Sequence, residues 1–99
     1  MNQTEIKREI NRRFYVYVET NFPQYELLFD GYGRVSLVPK EGEKRGINSI
    51  DYHQSDYSVV CLNFASKETK ENAFAMQTYI NNNTCILYLA IFGLSFNIS

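Results

Sequence analysis

Apolar residues recur at helical intervals near the start of the chain, at Ile6, Ile10, Phe14, Tyr17 and Val18, behind a polar Asn2 and a Glu5. That spacing is an N-cap with its reciprocal acidic partner followed by an apolar stripe, and it predicts a helix from about residue 3 to 18. Its last part, Phe14-Tyr-Val-Tyr-Val18, is rich in β-branched and aromatic residues, so an extended segment is an alternative there. Pro23 ends any helix that reaches it.

Two short apolar runs, Tyr25–Phe29 and Arg34–Val38, flank Asp30-Gly-Tyr-Gly33, a turn composition that predicts a hairpin. Pro39 closes the second strand. Residues 40–46 contain no apolar side chain and form the expected solvent-facing loop. The stretch 47–56 is mixed and carries no clear period. Across Tyr57–Phe64 the pattern alternates again: Val60, Leu62 and Phe64 share one face and Val59 and Cys61 the other, as in a strand.

Ser66 is a plausible N-cap for a second helix with the stripe Ala73, Met76 and Ile80, and Asn81-Asn-Asn83 is expected to stop it. Cys85–Phe92 then reads as the most buried strand, bent at Gly93 and continued by the alternation of Leu94, Phe96 and Ile98. The predicted class is α+β: a mainly antiparallel sheet of four to five strands with two helices packed on one face, in the order α-β-β-β-α-β, forming a single domain over residues 1–99.

Composition adds a lean towards contact with partners. The chain has 8 Tyr and 7 Phe but no Trp, and Tyr combines a large apolar body with a polar tip. The net charge of −1 offers no bulk attraction to nucleic acid or to an anionic membrane, so such binding needs a local basic patch. Cys61 and Cys85 lie in apolar runs and are expected to be reduced core residues. The opening residues have no apolar central region and do not read as a signal peptide, so the protein is expected to begin life in the cytoplasm. The sequons at Asn2, Asn82 and Asn97 are then chance occurrences in an Asn-rich chain. The apolar run from Cys85 to Leu94 falls short of the about 20 residues that a membrane-spanning helix needs, so no membrane association is expected.

Candidate chemistry is sparse. The single histidine, His53, lies in Asp51-Tyr-His53-Gln-Ser-Asp56, which reads as a polar turn, because a zinc site or a nucleophilic triad needs further ligands or an activated Ser or Cys close by. Gly31-Tyr-Gly33 lacks the third glycine and the following helix of a phosphate loop. No catalytic, cofactor-binding or metal-binding residue is therefore expected, no cofactor is implied, and the protein is not expected to be an enzyme. The residues singled out for contact are cationic. Lys40, Lys44 and Arg45 sit in the polar loop, and Arg8 and Arg12 lie with Lys7 and Arg13 on the first helix, interleaved with Glu5 and Glu9.

The order and proportions of the chain resemble small tail-terminator or neck proteins of tailed bacteriophages: an opening helix, the strand pair Tyr25–Phe29 and Arg34–Val38, the run Val35-Ser-Leu-Val-Pro39 before a charged loop, a strong strand, a helix with Ala and Met, and a final strand. That resemblance implies a virion structural protein whose copies assemble into a ring and dock other phage proteins, with the loop facing a lumen through which DNA passes. Tyr25-Glu-Leu-Leu28 also resembles the first strand of double-stranded-RNA-binding domains, and Ser66-Lys67-Glu-Thr-Lys70-Glu-Asn-Ala73 the start of their last helix, where lysines grip phosphates. A small phage-encoded inhibitor of a host defence protein is a third reading, compatible with the size and the near-neutral charge.

Overall fold

Asn2 starts the first helix: its side-chain oxygen accepts a hydrogen bond from the Glu5 backbone N–H at 2.9 Å, and its carbonyl accepts from Ile6 at 3.0 Å. The computed structural model describes residues 2–29, 34–42, 48–53, 58–61 and 66–92, with side chains left aside at 58–61 and 91–92. Helix α1 runs Gln3–Asn21 and buries Ile6, Ile10, Phe14 and Val18. It goes one turn beyond the expected end and settles the ambiguity over residues 14–18. Phe14 and Val18 are buried while Val16 is 52% exposed, which is helical and not strand phase. The Phe22 N–H closes on the Val18 carbonyl at 2.8 Å, and Pro23 follows.

Four strands follow as an antiparallel meander in the order β1-β2-β3-β4: β1 Tyr25–Phe29, β2 Arg34–Pro39, β3 Ile50–His53 and β4 Ser58–Cys61. The register sets Leu27 opposite Leu37, Val35 opposite Tyr52 and Leu37 opposite Ile50. One face therefore carries Tyr25, Val35, Leu37, Ile50 and Tyr52, all buried. The residues of the first hairpin turn lie outside those described. So do Tyr57 and residues 62–64, at the two ends of the strand expected over 57–64. β3 lies in the stretch that showed no clear period, and His53 is its last residue, not part of a turn.

The second helix departs most from expectation. α2 runs Lys67–Phe92, so Asn81–Asn83 does not stop it and Cys85–Phe92 is helix and not a buried strand. The order is accordingly α-β-β-β-β-α, and the possible strand continuation at 94–98 lies outside the described residues. The polar side chains in mid-helix turn back on the helix itself. Thr78 Oγ1 donates to the Phe74 carbonyl at 3.0 Å, Asn83 Nδ2 to Tyr79 at 2.9 Å and Thr84 Oγ1 to Ile80 at 2.8 Å. Tertiary contacts outweigh the modest helix cost of Asn, as Arg13 donates to Asn83 Oδ1 at 3.1 Å and Tyr17 stacks on Tyr79 with centroids 4.0 Å apart. Pairing 13 with 83 and 17 with 79 makes the two helices antiparallel.

Both helices cover the same sheet face. Ile6, Ile10, Phe14 and Val18 of α1, and Ala73, Met76, Ile80 and Leu87 of α2, form one cluster with that face. Phe14 lies 4.3 Å from the Tyr52 ring, whose hydroxyl donates to Asn11 Oδ1 at 2.7 Å. Asn72 Nδ2 donates to the Tyr25 hydroxyl at 2.9 Å, tying the start of α2 to β1. The protein is α+β, with two helices on an antiparallel sheet.

Candidate interaction surfaces

Ion pairing divides the basic strip of α1. Arg12 and Arg13 both donate to Glu9, Arg12 through Nε at 3.1 Å and Arg13 through Nε at 2.9 Å. The two guanidiniums, Arg12 first, hold the Glu9 carboxyl down at about 2, and the bond to Glu9 raises the Arg12 pKa in turn. Arg13 also reaches Asn83, so it braces the two helices. Lys7 and Arg8 are exposed. Of the cations singled out in the sequence, Arg12 is committed to an intrahelical pair and Arg8 faces solvent.

Lys40 follows β2, exposed, with its N–H bonded to the Gln24 carbonyl at 2.9 Å. Lys44 and Arg45 lie outside the described residues, so the loop triad is represented by Lys40 alone. Lys40 flanks a shallow groove of about 400 Å³ along the outer edge of the sheet, between Tyr15 and Glu19 of α1 and Leu27 and Phe29 of β1. Burial pushes the Tyr15 phenol pKa up, and its hydroxyl is enclosed with no hydrogen-bond partner among the described residues. Phe29, 62% exposed, meets the Tyr15 ring edge-on at 5.6 Å.

His53 is half-buried and sits opposite Arg34 across the β2–β3 pairing. Among the described residues, no three His, Cys, Asp or Glu side chains are grouped so as to hold a metal ion. Among them, too, no helix is long and apolar enough to cross a membrane.

The surface that sequence reasoning missed is the outer face of α2. From Asn72 to Phe92 the helix carries no charged residue, yet Phe74 is 75% exposed and Ile86 55% exposed. Cys85 is an exposed free thiol and not the core residue expected. Reading 85–92 as a strand placed Cys85 and Ile86 inside; the helix turns them outward. The signal that could have revealed the surface is the absence of any Asp, Glu, Lys, Arg or His after Glu71 in the sequence. A solvent-facing helix is ordinarily charged on its outer side, and an uncharged one carrying large apolar groups resembles the core of a contact.

Comparison with known protein families, with curated proteins and with solved structures finds no match to this chain.

Proposed function

We propose that this protein is an assembly protein that acts by associating with copies of itself and by docking partners, without catalysis. The observation that carries this reading is the outer side of α2, which presents Phe74, Cys85 and Ile86 to solvent with no charge along 72–92. Leaving such side chains in water is unfavourable by about 25 cal/mol for each Å² of apolar surface, a cost that association removes. The setting we propose, a neck or tail-terminator position in a phage particle, rests on the resemblance in element order and on the charged loop after β2. The final strand of that pattern is replaced over 85–92 by helix, so the ring contacts would come from helix faces and the outer edge of β1.

A second reading, a duplex-RNA-binding module, is favoured by one local observation. Ser66 caps α2, with its Oγ accepting from the Thr69 N–H at 3.3 Å, and the first turn then exposes Lys67 and carries Lys70. Lys67 makes a long pair with Glu71, at 3.8 Å. The experiment that separates the readings is the solution mass by light scattering over a wide concentration range, with and without duplex RNA. Mass that grows with concentration supports self-association. A monomer that shifts only on adding duplex moves the function to RNA binding, and a monomer indifferent to both points to an inhibitor of another protein.

A further inference from the structure

Two stripes run along α2 with the same 3-then-4 residue alternation. The inner one, Ala73, Met76, Ile80, Asn83 and Leu87, faces α1 and the sheet, where Asn83 takes the Arg13 hydrogen bond. Two residues on, about 200° around the helix, the outer stripe is Ala75, Thr78, Asn82, Cys85 and Leu89. Thr78, Asn82 and Cys85 are exposed, and Ala75 and Leu89 are half-buried. This alternation is the seam of helices that pack side by side, and the inner stripe already packs in that way against an antiparallel helix. The outer stripe likewise begins with alanine and ends with leucine, has Asn82 at its centre, and leaves its three central residues exposed.

We infer that the outer stripe of α2 pairs with the same stripe of a second copy, antiparallel, about a two-fold axis through Asn82. This rests on the self-association reading above and names the surface responsible. Charge argues for the occupant. A heterologous partner is ordinarily selected by charged residues flanking the seam, whereas here the flanks, Phe74, Asn81 and Tyr88 on one side and Tyr79 and Ile86 on the other, are all neutral. Shape argues for it as well. The two-fold axis sets small Ala75 of each copy against large Leu89 of the other, and Thr78 against Ile86. It sets Asn82 against Asn82, whose amides each offer a donor and an acceptor and so satisfy one another. An asparagine on an otherwise uncharged seam also fixes a single register, as buried polar seam residues do. A contact along one helix is at the small end of specific interfaces, so the dimer is concentration-dependent.

The test is sedimentation equilibrium of the wild-type chain, of Asn82→Asp and of Thr78→Glu, with circular dichroism in dilute solution to verify that each variant folds. Asn82→Asp keeps the side-chain shape and places two carboxylates against each other across the axis. The inference predicts dimerisation weakened about tenfold or more at neutral pH, an energy of about 1.4 kcal/mol per decade, and restored when acid neutralises the introduced carboxylates. Thr78→Glu should dissociate the dimer likewise, and it decides the matter should the first variant not fold. An assembly that both variants leave intact overturns the inference while self-association itself stands. A wild-type chain that stays monomeric at every concentration overturns both.

Discussion

Phe14 offers the sharpest test of how the core is built, because a helical and an extended reading of residues 14–18 assign its neighbours to opposite sides. In a strand, Phe14, Val16 and Val18 share a face; in the helix, Phe14 and Val18 point inward, each with no exposed surface, and Val16 points to solvent. Phe14 is packed between α1 and β3, 4.3 Å from the Tyr52 ring and 5.9 Å from the Tyr15 ring. Truncating it to alanine removes the buried ring and leaves a cavity in the core. The expected loss is about 3–5 kcal/mol, a large share of the about 5–15 kcal/mol that stabilises a domain of this size. At about 4–8 °C per kcal/mol the melting temperature should fall by roughly 12 °C or more. Val18→Ala should cost about 2 kcal/mol, from the buried area lost, and Val16→Ala no more than about 0.5 kcal/mol. Urea denaturation followed by circular dichroism measures all three. Equal losses at positions 14, 16 and 18, or a loss below about 1 kcal/mol at Phe14, would refute the packing of α1 on the sheet.

Other consequences follow from individual contacts. The Glu9 carboxyl is held from 4.5 down to about 2 by Arg12 and Arg13, so its contribution is complete above the ordinary value and is lost as pH falls towards about 2. In thermal melts across that range, any advantage of the wild type over Glu9→Gln should therefore shrink with acid; an advantage that grows with acid would contradict the pairing. Asn2→Ala should cost about 1 kcal/mol by uncapping α1, read as a lower urea midpoint and lost helical signal. Tyr52→Phe should cost about 1 kcal/mol through the hydroxyl bond to Asn11, and a double-mutant cycle with Asn11→Ala should show coupling; independent effects would place the hydroxyl elsewhere.

Local signals account for the elements that were legible in advance. Asn2 and Glu5 mark the start of α1, the Ile6, Ile10, Phe14 spacing carries it, and the runs Tyr25–Phe29 and Arg34–Val38 are strands, the second reaching Pro39. β3 was hidden because Ile50 and Tyr52 are only two buried positions, whose meaning depends on Leu37 and Val35 across the pairing. α2 was cut short because three asparagines read as a stop and Cys85–Phe92 has no polar residue to reveal a helical phase. What carries the helix through are contacts far apart in sequence, from Arg13 to Asn83 and from Tyr17 to Tyr79, which no local window contains. That one difference also moved Cys85 and Ile86 from the expected interior to the surface. The cationic candidates were legible as residue types, yet not their commitments: Arg12 and Arg13 are engaged by Glu9, and Arg8 is not.

The central claim, that copies of the chain meet through the outer face of α2, is tested most directly by the reactivity of Cys85. This thiol lies on the proposed seam and is exposed in the single chain. Its rate of alkylation by a small reagent, followed by peptide mass spectrometry so that Cys61 is scored separately, should be fast in dilute solution and fall as protein concentration rises and the seam becomes covered. A rate unchanged over the same range, with Cys85 equally accessible when the protein is concentrated, would contradict the account.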